Sequence, residues 1–321
     1  MIDFRFHMVS LAAVLIALSV GIVLGAGPLN DDIGNTLTNE VNRLRQDKDD
    51  LRRQLTDEQR TGTARESFEE QVLPAVLAGE LTDSRVTLVR LPESEDAAAG
   101  ELEESLESAG ATVGPTVSVS SAWTATGEDA QASRDEVARE LLQDLGRPAG
   151  ADVSLDSILG TLLGARTGDG SPTPGQEQRA AAFERLADAG LVTGEELGDP
   201  SDLFVVVGGP VAGDVQESGT DPDPEAQEVA TAWVELAQAL DQRSSGVVLL
   251  AGAADVSSGD ASPVTLARAD SGLSEGLSTV DAPGTALGRA ATVFALREQK
   301  GGDSGHYGVG ADAGSAIPDA S

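Results

Sequence analysis

The hydrophobic pattern begins with one long apolar run near the start of the chain. Residues 8–29 form a stretch of 22 residues without a charged side chain. At about 1.5 Å of rise per residue, a helix of this length spans a hydrocarbon core about 30 Å thick. The apolar core of a signal peptide is shorter than this run. The pattern therefore predicts a transmembrane helix within residues 1–30.

The residues around this run favour an uncleaved anchor whose N-terminus lies in the cytoplasm. The small residues 25–27 resemble a cleavage site, but Pro28 follows them and is unfavourable after a cut. Arg5 precedes the run, whereas Asp31 and Asp32 follow it. Because positive residues stay on the cytoplasmic side, we expect the rest of the chain on the extracytoplasmic side.

Small residues recur at every fourth position of the predicted anchor. They are Ala13, Ala17, Gly21 and Gly25. On a helix this spacing forms one smooth stripe, which allows a second transmembrane helix to approach closely. The stripe is consistent with packing of the anchor against a second copy within the lipid bilayer.

Residues 31–79 carry a heptad pattern together with many charges of both signs. Spacings of four and three residues alternate along the positions Leu37, Val41, Leu44, Lys48, Leu51 and Leu55. This alternation is typical of a coiled coil, although the polar Lys48 occupies one core position. The pattern predicts a short parallel dimeric stalk, or one long helix that folds back on the body. With the small-residue stripe, it favours a homodimer.

From residue 80 to residue 300 the chain alternates between strand-like and helix-like patterns. Residues 85–91 have the pattern of a strand, and continuous apolar runs, typical of strands buried on both faces of a parallel sheet, cover residues 202–210 and 246–252. Amphipathic helices are predicted between and after them, over residues 96–110, 224–243 and 284–299. This alternation predicts an exported, layered α/β domain with a mainly parallel sheet.

Two segments depart from this alternation. Residues 133–190 contain three helical patterns and predict a helical insertion, in which a mobile Gly/Pro-rich linker covers residues 166–175. Residues 301–321 are rich in glycine and poor in apolar side chains. They predict a flexible, irregular tail.

The composition narrows the range of partners and chemistries. The net charge is −33, and most of it lies after residue 79, where 42 acidic residues stand against 13 basic ones. Such a charge repels nucleic acid and attracts cations, although its simplest role is solubility. The chain contains no cysteine, which excludes thiolate metal sites and cysteine nucleophiles.

Motifs for catalysis or nucleotide binding are missing from the sequence. The glycines after the strand at residues 202–210 do not form a dinucleotide-binding motif, because Pro210 stands where the second glycine belongs. The chain has two histidines, His7 and His306, and no Gly-x-Ser-x-Gly elbow. We therefore expect a protein that is not an enzyme and has no nucleotide cofactor.

Candidate metal ligands are few. In the expected extracytoplasmic part, His306 is the one nitrogen ligand, and Tyr307 stands beside it. The acidic loop at residues 220–225 could hold a hard cation weakly. Soft copper(I) prefers sulfur ligands, yet the two methionines, Met1 and Met8, lie at the membrane end. A copper ion at His306 and Tyr307 is therefore the one metal hypothesis that we keep.

Four stretches of the sequence carry a resemblance to a known family. They are the opening MIDFRFHMVSLAAVLIALSVGIVLGAGPL, the heptad segment that follows, DAPGTALGRAATVFALRE at residues 281–298, and GHYGVG at residues 305–310. Together they resemble the actinobacterial copper-transport outer-membrane protein family, also called mycobacterial copper transport protein B. The resemblance implies a cell-envelope protein of copper efflux or homeostasis and a channel in the outer membrane.

Two functional hypotheses follow. The first is a copper-transport protein of the envelope, as the resemblance implies, although a single apolar helix cannot line a channel by itself. The second is a non-catalytic dimeric scaffold that presents an α/β module to another envelope protein. The conductance of the purified protein in bilayers would distinguish the two hypotheses.

Overall fold

The computed structural model describes residues 4–25, 29–146, 154–166, 174–215 and 221–319. The chain divides into two compact units, Met1–Arg65 and Glu66–Ser321. In the first unit the described residues are helical. Helix α1 covers Phe4–Gly25, and helix α2, which begins in this unit and ends in the second, covers Leu29–Leu77. Helix α1 is long and apolar enough to cross a membrane over Phe4–Val23.

The second unit is a mixed α/β structure. Its further helices are α3 (Asp96–Ser108), α4 (Glu128–Asp144), α5 (Leu155–Leu163), α6 (Gln176–Asp188), α7 (Pro224–Asp241), α8 (Pro263–Ala269) and α9 (Ala286–Gly301). Its strands are β1 (Arg85–Arg90), β2 (Thr112–Val113), β3 (Val117–Val119), β4 (Val192–Gly194), β5 (Leu203–Gly208), β6 (Val247–Ala251), β7 (Ser278–Val280) and β8 (His306–Tyr307).

These strands form one sheet in the order β4-β3-β1-β5-β6-β7-β8, with β2 beside β1. The pairs are parallel, except that β4 runs antiparallel to β3. The predicted mainly parallel α/β architecture is therefore confirmed. The long central strands are those that the sequence predicts, β1 at residues 85–91 and β5 and β6 at the two apolar runs. The runs are apolar because buried parallel strands need apolar side chains on both faces.

The core forms two main hydrophobic clusters, between which the central strands divide their side chains. Successive residues of β5, such as Phe204 and Val205, belong to different clusters, as the two-residue period of a strand requires. Helices α3 and α9 supply one cluster, which contains Leu102 and Leu296. Helices α4 to α8 supply the other, which contains Leu159 and Trp233.

The three helices predicted between residues 133 and 190 are α4, α5 and α6. They lie between β3 and β4 in the chain, and α4 begins five residues before the predicted start. Strands β2, β3, β4 and β7 were not predicted, because two or three residues are too few to show a period. Most of the Gly/Pro-rich linker lies outside the described residues.

The tail after residue 300 corrects an expectation. Residues 306 and 307, predicted to be irregular, form strand β8, in which His306 aligns with Thr279 and Tyr307 with Val280. The backbone N–H of Gly308 also donates to the carbonyl of Ser315, at 3.0 Å. The segment is ordered because it adds an edge strand to the sheet, which its low apolar content concealed.

The residues predicted for packing between copies lie on the two long helices. Ala13, Ala17, Gly21 and Gly25 are exposed on α1. Val41, Leu44, Leu51 and Leu55 are exposed on α2, whereas the side chain of Leu37 lies outside the described residues. The division between units falls at Arg65, before the boundary at residue 79 suggested by sequence, since Leu73 and Leu77 pack into the body.

Candidate functional site

The strand order places a crevice between β1 and β5. The chain leaves β1 to one side, towards β3, and later returns to the other side at β5. The loops that follow β1 and β5 therefore lead to helices that pack in different core clusters, α3 after β1 and α7 after β5. In open parallel sheets ligands bind at such switch points, so this edge is the candidate functional site.

A cavity of about 520 Å³ lies at this edge. The loop after β1 and the loop after β5 form two of its walls, and helix α7 contributes another. Its lining includes Pro92, Glu93, Ser121, Thr124, Thr126, Val211, Ala212, Glu225 and Trp233. Below, we call this cavity the switch-point cleft.

The two loops that border the switch-point cleft touch each other closely. A Cβ atom placed on Gly209, just after β5, would lie 2.4 Å from the carbonyl oxygen of Glu93. Glu93 itself adopts a φ angle of 65°, a left-handed conformation that is uncommon for residues other than glycine. The glycines after β5 therefore permit this close approach between loops, which explains them without a bound phosphate.

A second cavity, of about 480 Å³, shares Thr124, Ala125, Thr126 and Val229 with the cleft. In its wall, Arg134 donates to the carbonyls of Ala122 and Ala125, at 3.1 Å and 2.7 Å. The indole nitrogen of Trp123 donates to Asp156 at 2.7 Å, and burial raises the pKa of Asp156. These charged groups hold the loop between β3 and α4 in place.

The chemistry of the two cavities is that of oxygen ligands. Their lining contains carboxylates, hydroxyls and one arginine, and it contains neither histidine nor methionine. Carboxylate and hydroxyl oxygens suit hard cations or the amino groups of a ligand, whereas copper(I) prefers sulfur. The predicted acidic loop contributes little here, because Asp223 caps α7 by accepting from the N–H groups of Glu225 and Ala226.

A second polar centre surrounds Arg268 of helix α8, near the carboxyl ends of β7 and β8. The Arg268 side chain is 3% exposed and donates to Asp281 at 2.7 Å and to Asp312 at 2.9 Å. It also donates to the hydroxyl of Thr279 at 2.9 Å and to the carbonyl of Tyr307 at 2.7 Å. We call this group the Arg268 network.

Asp281 joins this network to the tail of the chain. Its carboxylate accepts from the backbone N–H groups of Val309, at 2.8 Å, and Gly310, at 2.9 Å. Burial alone would raise the pKa of Asp281, but these hydrogen bonds and the Arg268 guanidinium outweigh it and lower the pKa. A Cβ on Gly308 would lie 2.1 Å from Asp281, so glycine is required where the tail passes the carboxylate.

The structure places the two predicted metal ligands in different environments. The Nδ1 atom of His306 lies 3.0 Å from the hydroxyl of Thr279. Burial, with a smaller effect of the nearby Arg268, lowers the pKa of His306, so the imidazole is neutral at pH 7. The Tyr307 side chain lies on the opposite face of the sheet from His306, in the hydrophobic cluster that contains α3 and α9, and its hydroxyl donates to Glu298.

His306 and Tyr307 therefore do not converge on one point. Successive residues of a strand point to opposite faces, which explains their separation. Burial, followed by the hydrogen bond to Glu298, raises the pKa of Tyr307 and keeps the phenol protonated. Within the described residues, no cluster of three or more histidine, aspartate or glutamate side chains could hold a metal ion.

Sequence reasoning did not single out Arg268, Asp281 or Thr279. A partial signal existed, since Asp281 opens the DAPGTALGRAATVFALRE segment and Val309 lies in GHYGVG. The structure brings these two segments together, at Asp281 with Val309 and at Glu298 with Tyr307. The sequence does not reveal that these two segments are close, because they meet only when β8 pairs with β7, which lies 25 residues or more before it in the chain.

Comparison with known proteins agrees with the resemblance. The profile of the family described as "Copper transport outer membrane protein, MctB" matches residues 1–318. The "Copper transporter MctB" of Mycobacterium tuberculosis (strain ATCC 25618 / H37Rv) is 31% identical over 330 residues, covering 97% of each chain. The protein of the same name from Mycobacterium leprae (strain TN) is 31% identical over 333 residues, again covering 97% of each. The chain therefore belongs to the MctB family of copper transport outer membrane proteins.

Proposed function

We propose that this chain is a membrane protein of the cell envelope that acts in copper transport and thereby in copper homeostasis. The observation that carries the proposal is the family match over residues 1–318. The relatives named as copper transporters align with this chain over 97% of their length. The composition fits this role, because a strongly acidic domain attracts cations to its surface.

For the membrane arrangement, we propose that α1 stays as an anchor with its N-terminus in the cytoplasm. Its apolar window, Phe4–Val23, has a mean hydropathy of 2.3, and its side chains are exposed along the helix. The charges on either side of it support this orientation. The α/β unit would then lie on the extracytoplasmic side, within the cell envelope.

We infer that the α/β unit is not catalytic. The charged groups that it buries have partners that hold segments together, as in the Arg268 network. The division of the core between two clusters supports a sheet with helices on both faces.

We propose contact with copper at His306, whose neutral imidazole is the form that binds metals.

An alternative function is a dimeric scaffold that presents the α/β unit to another envelope protein. The exposed apolar side chains of α2 support the dimer that this alternative requires, because a solitary helix would leave them in water. In both functions we propose a homodimer formed through α1 and α2, with no role for nucleic acid.

The test of the proposed function is a deletion strain grown with added copper. We expect its intracellular copper to rise and to return to normal when the full-length chain is supplied. A chain carrying His306→Ala should return the intracellular copper content only partly to normal. One carrying Asp188→Asn, at an exposed position of α6, should return it fully to normal.

Conductance of the purified full-length protein in planar bilayers distinguishes transport from the scaffold. Transport by this chain predicts copper-dependent ion flux. Normal copper content in the deletion strain, together with the lack of any conductance, would overturn the transport proposal and favour the scaffold.

A further inference from the structure

Helix α2 carries an apolar stripe with no partner in the described part of the chain. Val41, Leu44, Leu51 and Leu55 are between 38% and 65% exposed. Their spacings of three, seven and four residues place them on one face of the helix. Polar and charged residues surround this stripe, so these four side chains are the apolar contacts that a second helix could bury.

The stripe has the composition of a two-stranded coiled coil. Its spacing assigns Val41, Lys48 and Leu55 to heptad position a, and Leu44 and Leu51 to position d. Val41 is the β-branched residue among these a positions, and a β-branched residue at a with leucine at d favours two strands in a parallel pair. A single lysine at an a position lowers stability but specifies the number of strands and their alignment.

The charges beside the stripe distinguish a parallel pair from an antiparallel pair. Glu40 and Asp47 occupy position g, whereas Arg45 and Arg52 occupy position e. In a parallel, in-register dimer each g residue meets the following e residue of the partner, which pairs Glu40 with Arg45 and Asp47 with Arg52. In an antiparallel pair, g would meet g and e would meet e, so like charges would oppose each other.

The ion pairs within α2 leave these four residues available. Two ion pairs of α2 join positions c and f, on the outer face: Asp50 with Arg53, and Asp57 with Arg60 at 3.3 Å. Among the described residues, Glu40, Arg45, Asp47 and Arg52 form no ion pair within the chain. The outer face is thus paired within one copy, whereas the e and g positions remain for a second copy.

We propose that residues 40–55 of two copies form a parallel, in-register coiled coil, whose direction and alignment are set by the Glu40–Arg45 and Asp47–Arg52 pairs between the copies. This inference rests on the proposed membrane anchoring, because two anchors in one bilayer start their α2 helices in the same direction. The shared bilayer also raises the effective concentration of the short segment. The pattern ends after Leu55, since Glu58 and Gly62 occupy the next core positions.

Cysteine cross-linking tests the alignment without interference, because the chain has no cysteine of its own. The full-length protein in its membrane would carry Leu44→Cys at a core position or, as the matched control, Gln46→Cys at the outer position f. After oxidation with diamide, we expect a disulfide-linked dimer to be the main species for Leu44→Cys and a minor species for Gln46→Cys. Equal cross-linking of the two variants, or none of either, would overturn the proposal.

Charge reversal tests the pairing. Asp47→Arg places arginine opposite Arg52 of the partner, and we expect the dissociation constant in detergent to rise about threefold to tenfold. Asp49→Arg makes the same change at the outer position b and should leave the constant unchanged. Adding Arg52→Asp to Asp47→Arg should restore it.

A loss of affinity from Asp49→Arg as large as that from Asp47→Arg, or a double variant as weak as the single one, would contradict the assigned pairs. Both assays report the pairing of copies whatever the protein transports, whereas the copper content of the deletion strain reports transport. Failure of the coiled coil and failure of the proposed function are therefore separate results.

Discussion

At the scale of single residues, the Arg268–Asp281 pair makes the clearest prediction. Both side chains are almost fully buried, at 3% and 5% exposed. Asp281→Asn removes the buried carboxylate and leaves Arg268 paired with the partly exposed Asp312, so it should lower the free energy of unfolding by about 3 kcal/mol. Denaturant unfolding followed by the fluorescence of Trp123 and Trp233, which are both buried, measures this loss. The exposed Asp188→Asn should change it little.

The same pair predicts a pH dependence. The folded protein lowers the pKa of Asp281 below the unfolded value of about 3.9. The stabilisation by its carboxylate is therefore complete above about pH 4 and is lost as the pH falls through the folded pKa. The difference in stability between the unsubstituted chain and Asp281→Asn should shrink below about pH 4. A difference that stays constant down to pH 2 would contradict this account.

Asp241, at the end of α7, predicts the opposite dependence. Burial raises its pKa to about 6, against a smaller opposing effect of Arg166. Because the folded state favours the protonated acid, this stabilisation is complete below about pH 4 and is lost as the pH rises through about 6. Asp241→Asn should therefore be more stable than the unsubstituted chain at pH 7.5, with no advantage at pH 4. Thermal unfolding at the two pH values measures this.

At the scale of elements, the stability of helix α9 depends on the residue that precedes it, Thr285. The hydroxyl of Thr285 accepts from the backbone N–H of Gly288 at 3.0 Å and caps the helix. Thr285→Ala removes this hydrogen bond and should lower the free energy of unfolding by about 1 kcal/mol. Thr285→Ser retains the hydroxyl and serves as the control. If serine and alanine were equally destabilising, the loss would not come from the cap.

The elements differ in how far the sequence could predict them. The strand patterns of β1, β5 and β6 could be assigned because each strand buries four to six successive residues. Strand β8 has two residues, and it exists because its backbone pairs with β7. Such a pairing depends on residues that are distant in the chain, so no local pattern reveals it.

At the scale of the whole molecule, the proposed topology predicts which residues can be labelled from outside the cell. Cysteines introduced separately at Asp3, which precedes Arg5 and leaves that charge in place, and at the exposed Asp303 would report the two ends of the chain. A membrane-impermeant maleimide applied to cells whose envelope is made permeable down to the cytoplasmic membrane should label Asp303→Cys and spare Asp3→Cys. Labelling of Asp3→Cys alone would show the opposite topology.

The candidate site shows the limits of sequence reasoning most clearly. His306 and Tyr307 were chosen because of their ligand chemistry, yet neighbouring positions in a strand separate their side chains. The switch-point cleft arises from the order of the strands, which brings Glu93 and Val211 to one edge from distant parts of the chain. Residue types limit the available chemistry, but strand order decides which residues meet.

The sequence by itself determined the apolar helix, the long helix with its heptads, the mainly parallel α/β unit and the family. These features depend on local periodicity or on residue identity, which a chain carries before it folds. The tertiary structure alone decided the addition of β8, the inclusion of Leu73 and Leu77 in the body, and the burial of Arg268 against Asp281. Each of these depends on contacts between distant segments, which form when the sheet and its helices pack.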